Sequence, residues 1–118
     1  MTLIIDMDVI LDNLITDLGP AVYFILISSE NGVIKKSYIN EDEFNKASIS
    51  LNISQLYELA EETTEGIGLH SPDFNIIHSD NYYILSIKIL EHLVILLTED
   101  QVDVKKVFKT INNSVAPP

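Results

Sequence analysis

Apolar residues in the first part of the chain recur three and four positions apart. Met7, Ile10, Leu11, Leu14, Ile15 and Leu18 fall on one helical face over residues 7–18, with acids outside it. Gly19-Pro20 then supplies the stop that such a helix requires. The pattern changes at once to a continuous apolar run, AVYFILIS (21–28), which predicts a strand covered on both faces. ENG (30–32) is a hairpin turn signal, and VIKKSYI (33–39) is the returning strand. A polar loop, NEDEFNKAS, follows. Helical spacing resumes over 53–66, and FNIIHS (74–79) reads as a short strand. A last helix is expected near 101–115, where Val104, Val107, Phe108, Ile111 and Val115 are three and four apart. Thr98 and Gln101 have the spacing of a capping box at its start.

The longest apolar stretch lies in NYYILSIKILEHLVILLTED (81–100) and is interrupted only by Ser86, Lys88, Glu91 and His92. A transmembrane helix needs about 20 apolar residues with few charges. Here the charges stand mid-run, where a bilayer tolerates them least. Ile84, Ile87, Ile89, Val94 and Ile95 are β-branched and Tyr82 and Tyr83 are aromatic, all of which favour strands. The stretch is expected to be a hairpin, with strands at 82–90 and 93–98 and a turn near Glu91-His92. No membrane insertion is expected.

The order is then α-β-β-α-β-β-β-α, with no internal repeat, over residues 1–118 as a single domain. The strands at 21–28 and 93–97 are apolar on both faces and belong in the centre. Lys35 and Lys36 guard one edge of the sheet, while Phe74, Ile76 and Ile77 at the other have no charge among them. The predicted fold class is an α/β (α+β) sandwich around a five-stranded, largely antiparallel sheet. Its spatial order is 33–39, 21–28, 93–98, 82–90, 74–79, or 2-1-5-4-3 counted along the chain. The middle helix is expected on one face, with the first and last helices on the other.

The middle helix carries more apolar surface than one sheet contact uses. Ile53, Leu56, Tyr57, Leu59, Ala60, Thr63, Thr64 and Ile67 fill an arc of roughly 160°, against the ~100° that packing on a sheet needs. Either a flanking loop or a second partner covers the surplus. Glu58, Glu61, Glu62 and Glu65 cluster on the other side and are either a solvated face or a contact for a protein partner.

Charge narrows the partner. Eighteen acids against seven bases give a net charge of −11, and every base is lysine. Nucleic-acid affinity rests largely on neutralising phosphates, so nucleic acid is excluded as a partner. With no basic n-region in MTLIIDMDVI, the expected location is the cytoplasm. Candidate chemistry is thin. Cysteine is absent, and His70, His78 and His92 fall on a loop, an edge strand and a turn with no metal-ligand or triad spacing. The acids of NEDEF (40–44) lack calcium-loop spacing, and Gly66 and Gly68 follow no strand, so they mark a helix end. No catalytic residue, metal or cofactor is expected.

The element order, together with LDNLITDLGPAVYFILISSENGVIKKSYI, resembles the Roadblock/dynein light chain family: first helix, glycine/proline break, apolar strand and glycine turn into a second strand. The resemblance implies a homodimer, or a heterodimer with a paralogous Roadblock protein, through the middle helix and the third strand. The implied interface is Ile53, Leu56, Tyr57, Leu59, Ala60, Thr63, Phe74, Ile76, Ile77 and His78. It also implies a scaffold or regulator of a small Ras-like GTPase. Without arginine the chain cannot supply an arginine finger, so any stimulation would be indirect. The alternative is a small-molecule sensor or trafficking module of PAS, profilin or longin type. A sensor needs a pocket, and a ligand-sized cavity of several hundred cubic ångströms would favour that reading.

Overall fold

The computed structural model describes residues 4–40 and 44–116. In chain order the elements are β1 (Ile4–Ile5), α1 (Met7–Leu18), a 3-10 turn (Gly19–Ala21), β2 (Val22–Ser29), β3 (Ile34–Ile39) and α2 (Lys46–Gly66). They continue with β4 (Asn75–Ser79), β5 (Tyr82–Ile89), β6 (His92–Glu99), α3 (Val104–Asn113) and β7 (Val115–Ala116). Five strands form one sheet in the order β3-β2-β6-β5-β4, with every neighbouring pair antiparallel. This is the predicted order, and the long apolar stretch is the β5–β6 hairpin. Among the described residues no helix is long and apolar enough to cross a membrane.

Alternation along the central strands sorts their side chains into two layers. Ile25 and Ile27 of β2, Val94 and Leu96 of β6, and Leu85 and Ile87 of β5 meet α1 through Ile10, Leu11 and Leu14 and α3 through Val107, Phe108 and Ile111. The intervening residues Phe24, Leu26, Leu93, Ile95 and Leu97 meet Ile53 and Tyr57 of α2. A continuous apolar run is required because each residue of β2 and β6 faces one core or the other. Burying each such side chain contributes about 1.5–3 kcal/mol, which fixes these two strands in the middle of the sheet.

The helix limits differ from the expectation in two places. α2 begins at Lys46, seven residues before the predicted start, so the end of the expected polar loop is its first turn. The Asn45 side chain caps it by accepting from the Ser48 amide at 3.1 Å. Its early turns hid because small polar residues occupy the sheet-facing positions: Ser50 and Ser54 are buried. Ser50 Oγ donates to the Gly32 carbonyl (2.8 Å) and Ser54 Oγ to the Leu51 carbonyl (2.7 Å). Gly32, at φ +89°, lets the β2–β3 turn press against this segment, since a Cβ there would lie 2.8 Å from Ser54 Oγ and 2.9 Å from Leu51 Cα. The acids Glu41, Asp42 and Glu43 of the remaining loop lie outside the described residues.

α3 starts later than expected. Its cap is Asp103, which accepts from the Lys106 amide, whereas Thr98 is buried inside β6 and donates to the Glu99 carbonyl. The Thr98–Gln101 capping box is therefore not formed. The helix ends at Asn113, and Val115 pairs with Ile5 in a two-stranded β1–β7 sheet that periodicity did not predict. A two-residue strand has no period to detect. The β5–β6 turn is Leu90-Glu91, one residue earlier than expected.

Candidate interaction surface

The site begins with β4, an edge strand that among the described residues has only β5 beside it. Its side chains alternate. Ile77, opposite Ile84, packs toward the α2 layer, while Ile76 is opposite Leu85 of the α1/α3 layer and remains 42% exposed. Phe74, just before the strand, is on the α3 side as well: its ring stacks on Phe108 at 4.2 Å and is still 44% exposed. His78 lies against the Tyr83 ring at 4.7 Å, with Asp100 Oδ2 3.8 Å from Nε2.

α2 divides the predicted interface residues into two groups. Ile53 and Tyr57 are buried beneath the helix within the protomer, which removes them from the outer surface assigned to them. Leu56, Leu59 and Thr63 are exposed and Ala60 is half-buried. At 100° per residue, Leu56, Thr63 and Leu59 lie roughly 60–120° round the helix from Ile53, so they form one flank rather than the sheet-facing stripe. The surplus apolar arc is real, and these residues are its exposed part.

Tyr57 has a different role from the expected one. Its hydroxyl donates to the Pro72 carbonyl at 2.9 Å and accepts from the Lys88 amide at 3.3 Å. The β4–β5 ladder ends at the Asn75–Ser86 pair, so Lys88 lies beyond the reach of β4. The tyrosine takes up a backbone donor that the short edge strand leaves over and ties the α2–β4 connection to β5. Burial raises its pKa above the usual phenol value, more than the Lys88 hydrogen bond lowers it.

The four glutamates also separate. Glu61 is half-buried and binds the Lys88 ammonium at 3.1 Å, with Glu30 on the same ammonium at 3.5 Å. Burial alone would lower the Lys88 pKa, but the hydrogen bond and charge of Glu61, helped by Glu30, hold it above its ordinary value. Glu65 accepts from Ser71 Oγ at 3.1 Å. Glu58 and Glu62 are exposed. Glu61 is thus a structural partner of a lysine 27 positions away, a pairing with no sequence signal.

Two hairpin turns of two residues border the region, and both start with a residue in the left-handed region: Asp80 at φ +54° and Leu90 at φ +56°. Aspartate is at home there. A leucine costs roughly 1–2 kcal/mol in that conformation, and Leu90 is 44% exposed.

A groove of about 610 Å³ runs between the α2–β4 connection, the end of β5 and α3, lined by Pro72, Asp73, Phe74, Leu90 and Phe108 among others. Its volume falls in the range set for a sensor pocket. Its walls include exposed side chains, however, so it is a surface groove rather than an interior cavity. Among the described residues no group of three or more histidines and acids could hold a metal ion.

No family model matches the sequence, and comparison with curated proteins returns no match. Solved structures do match. A Roadblock/LC7 domain from Streptomyces avermitilis is similar with a TM-score of 0.78 and 14% identity, over 92% of this chain and 91% of that one. Myxococcus xanthus MglB is similar with a TM-score of 0.76 and 11% identity, over 89% and 85%. Acanthamoeba castellanii profilin Ib is similar at a TM-score of 0.53 and 10% identity, over 86% of each. The chain has the Roadblock/LC7 fold.

Proposed function

We propose that residues 1–118 act as one dimeric, non-catalytic adaptor domain in the cytoplasm, which binds a small Ras-like GTPase or a larger protein complex. The observation that carries this reading is that the protomer leaves two apolar surfaces unfinished: the uncharged edge of β4, with Ile76 exposed, and the α2 flank of Leu56, Leu59 and Thr63. Antiparallel pairing of β4 with its mate continues the sheet and satisfies its free backbone groups, while the two α2 flanks cover one another. A second copy, or a paralogous chain of the same fold, provides both at once.

The GTPase then meets the face opposite the α2 pair or its outer rim. With a net charge of −11 the domain selects a basic footprint, so association slows as salt rises. Glu58 and Glu62 are the exposed acids on α2 suited to this contact, and Glu65 adjoins them; Glu61 is held by Lys88.

Light scattering on the purified chain tests the dimer, and titration against the host's small GTPases in both nucleotide states tests the partner. Twice the protomer mass, with salt-sensitive binding to one GTPase, is the expected result. No binding to any of them, together with a metabolite retained in the purified protein, transfers the assignment to the sensor reading.

A further inference from the structure

The groove beside the β5–β6 turn has a feature that neither the core nor the proposed dimer explains. Leu90 is in the left-handed region where the sister turn uses Asp80, and nearly half of its side chain is exposed to solvent. Such a conformation is unfavourable for a bulky apolar residue, and backbone strain of this kind concentrates where a ligand is clamped. Leu90 shares the groove with Phe74, which is equally exposed and stacked on Phe108. The charge of the groove is one-sided. Its lysine, Lys88, is already shared between Glu61 and Glu30, while Asp73 has no ion pair among the described residues.

We propose that this groove is a docking site for a short peptide segment of a protein partner, in which an apolar anchor stands next to a lysine or arginine. The anchor packs between Leu90 and the Phe74–Phe108 stack, and the cation meets Asp73. The volume, about 610 Å³, suits one or two side chains. An anionic peptide is disfavoured by Asp73 and Glu61, and a purely apolar one leaves Asp73 facing the interface without a partner. The site is separate from the α2 flank, and Phe74 is the one groove wall that also belongs to the implied dimer interface.

The test is panning of the intact chain against phage-displayed random peptides, followed by anisotropy titration of fluorescein-labelled synthetic copies of those enriched. The expected peptides carry an aliphatic or aromatic residue beside lysine or arginine. Leu90→Gly should weaken their binding about fivefold to tenfold, as loss of a half-exposed leucine contact implies, while raising the melting temperature through relief of strain. Opposite signs in the two readouts distinguish a docking leucine from a structural one. Asp73→Lys should weaken binding by about tenfold, and Leu59→Glu should leave it unchanged. No enrichment, enrichment of acidic peptides, or binding indifferent to both Leu90→Gly and Phe74→Ser overturns the proposal. Binding that Leu59→Glu removes and Leu90→Gly spares places the peptide on α2 and overturns it as well.

Discussion

The two edges of the sheet are nearly equal in length, six residues in β3 and five in β4, yet they are finished in opposite ways. β3 exposes Lys35 and Lys36, with Lys36 3.4 Å from Asp8 of α1, and its register with β2 shifts between Ile27 and Ser28. Charge and a bulge both obstruct pairing with another chain. β4 keeps a regular register with β5 and shows Ile76, Ile77 and His78 without a lysine. An edge strand always offers free backbone donors and acceptors, so its side chains decide whether a second chain can use them. The difference leaves β4 as the edge open to the proposed assembly.

The largest expected effect breaks this asymmetry directly. Ile76→Lys and Leu59→Glu each place an unpaired charge in the proposed interface, at a cost of about 3–5 kcal/mol. Self-association should weaken at least a hundredfold by light scattering or sedimentation. Both positions are exposed in the protomer, so its own unfolding free energy should stay within about 0.5 kcal/mol. Wild-type mass in both variants would locate the contact elsewhere.

Tyr57→Phe gives a smaller effect confined to the open side. It deprives the Pro72 carbonyl and the Lys88 amide of their shared partner, which should destabilise the protomer by about 1–3 kcal/mol. Amide exchange should accelerate in β4 and the connection before it, with β3 unchanged. Equal acceleration at both edges would mean that the hydroxyl supports the whole sheet.

The smallest effect is alkaline. Tyr57 and Lys88 both have raised pKa values in the folded chain. The folded state therefore holds protons that the unfolded chain releases near pH 10. Their contribution is fully present below that value and is lost as pH rises through the folded values. Denaturant titrations should show stability from this pair that does not vary with pH near neutrality and declines above about pH 10. In Tyr57→Phe that decline should be shallower.

Much of this arrangement was legible in the residues, and where it was not the reason is specific. Doubly apolar runs identified β2 and β6 as central, and Lys35-Lys36 marked the guarded edge. The periodicity of α2 starts late because Ser50 and Ser54, polar residues in sheet-facing positions, break the apolar period; their hydroxyls bond backbone carbonyls inside the fold. Surplus apolar surface is exposed on α2 at Leu56 and Leu59, whereas Ile53 and Tyr57, expected on the same outer surface, are covered by the sheet. A helical wheel gives the width of an apolar arc and not which part of it a sheet will occupy.

The sequence by itself determined the order of the main elements, the central strands, the acidic character and the absence of arginine, because periodicity and composition are local properties of the chain. Only the tertiary structure decided which α2 residues face outward, that Glu61 is held by Lys88, that Tyr57 caps the end of the β4–β5 ladder and that Leu90 borders a groove with Phe74. Each of these depends on a contact between residues far apart in the chain. Such a contact is set by how helix and sheet pack in three dimensions, and no spacing along the chain records it.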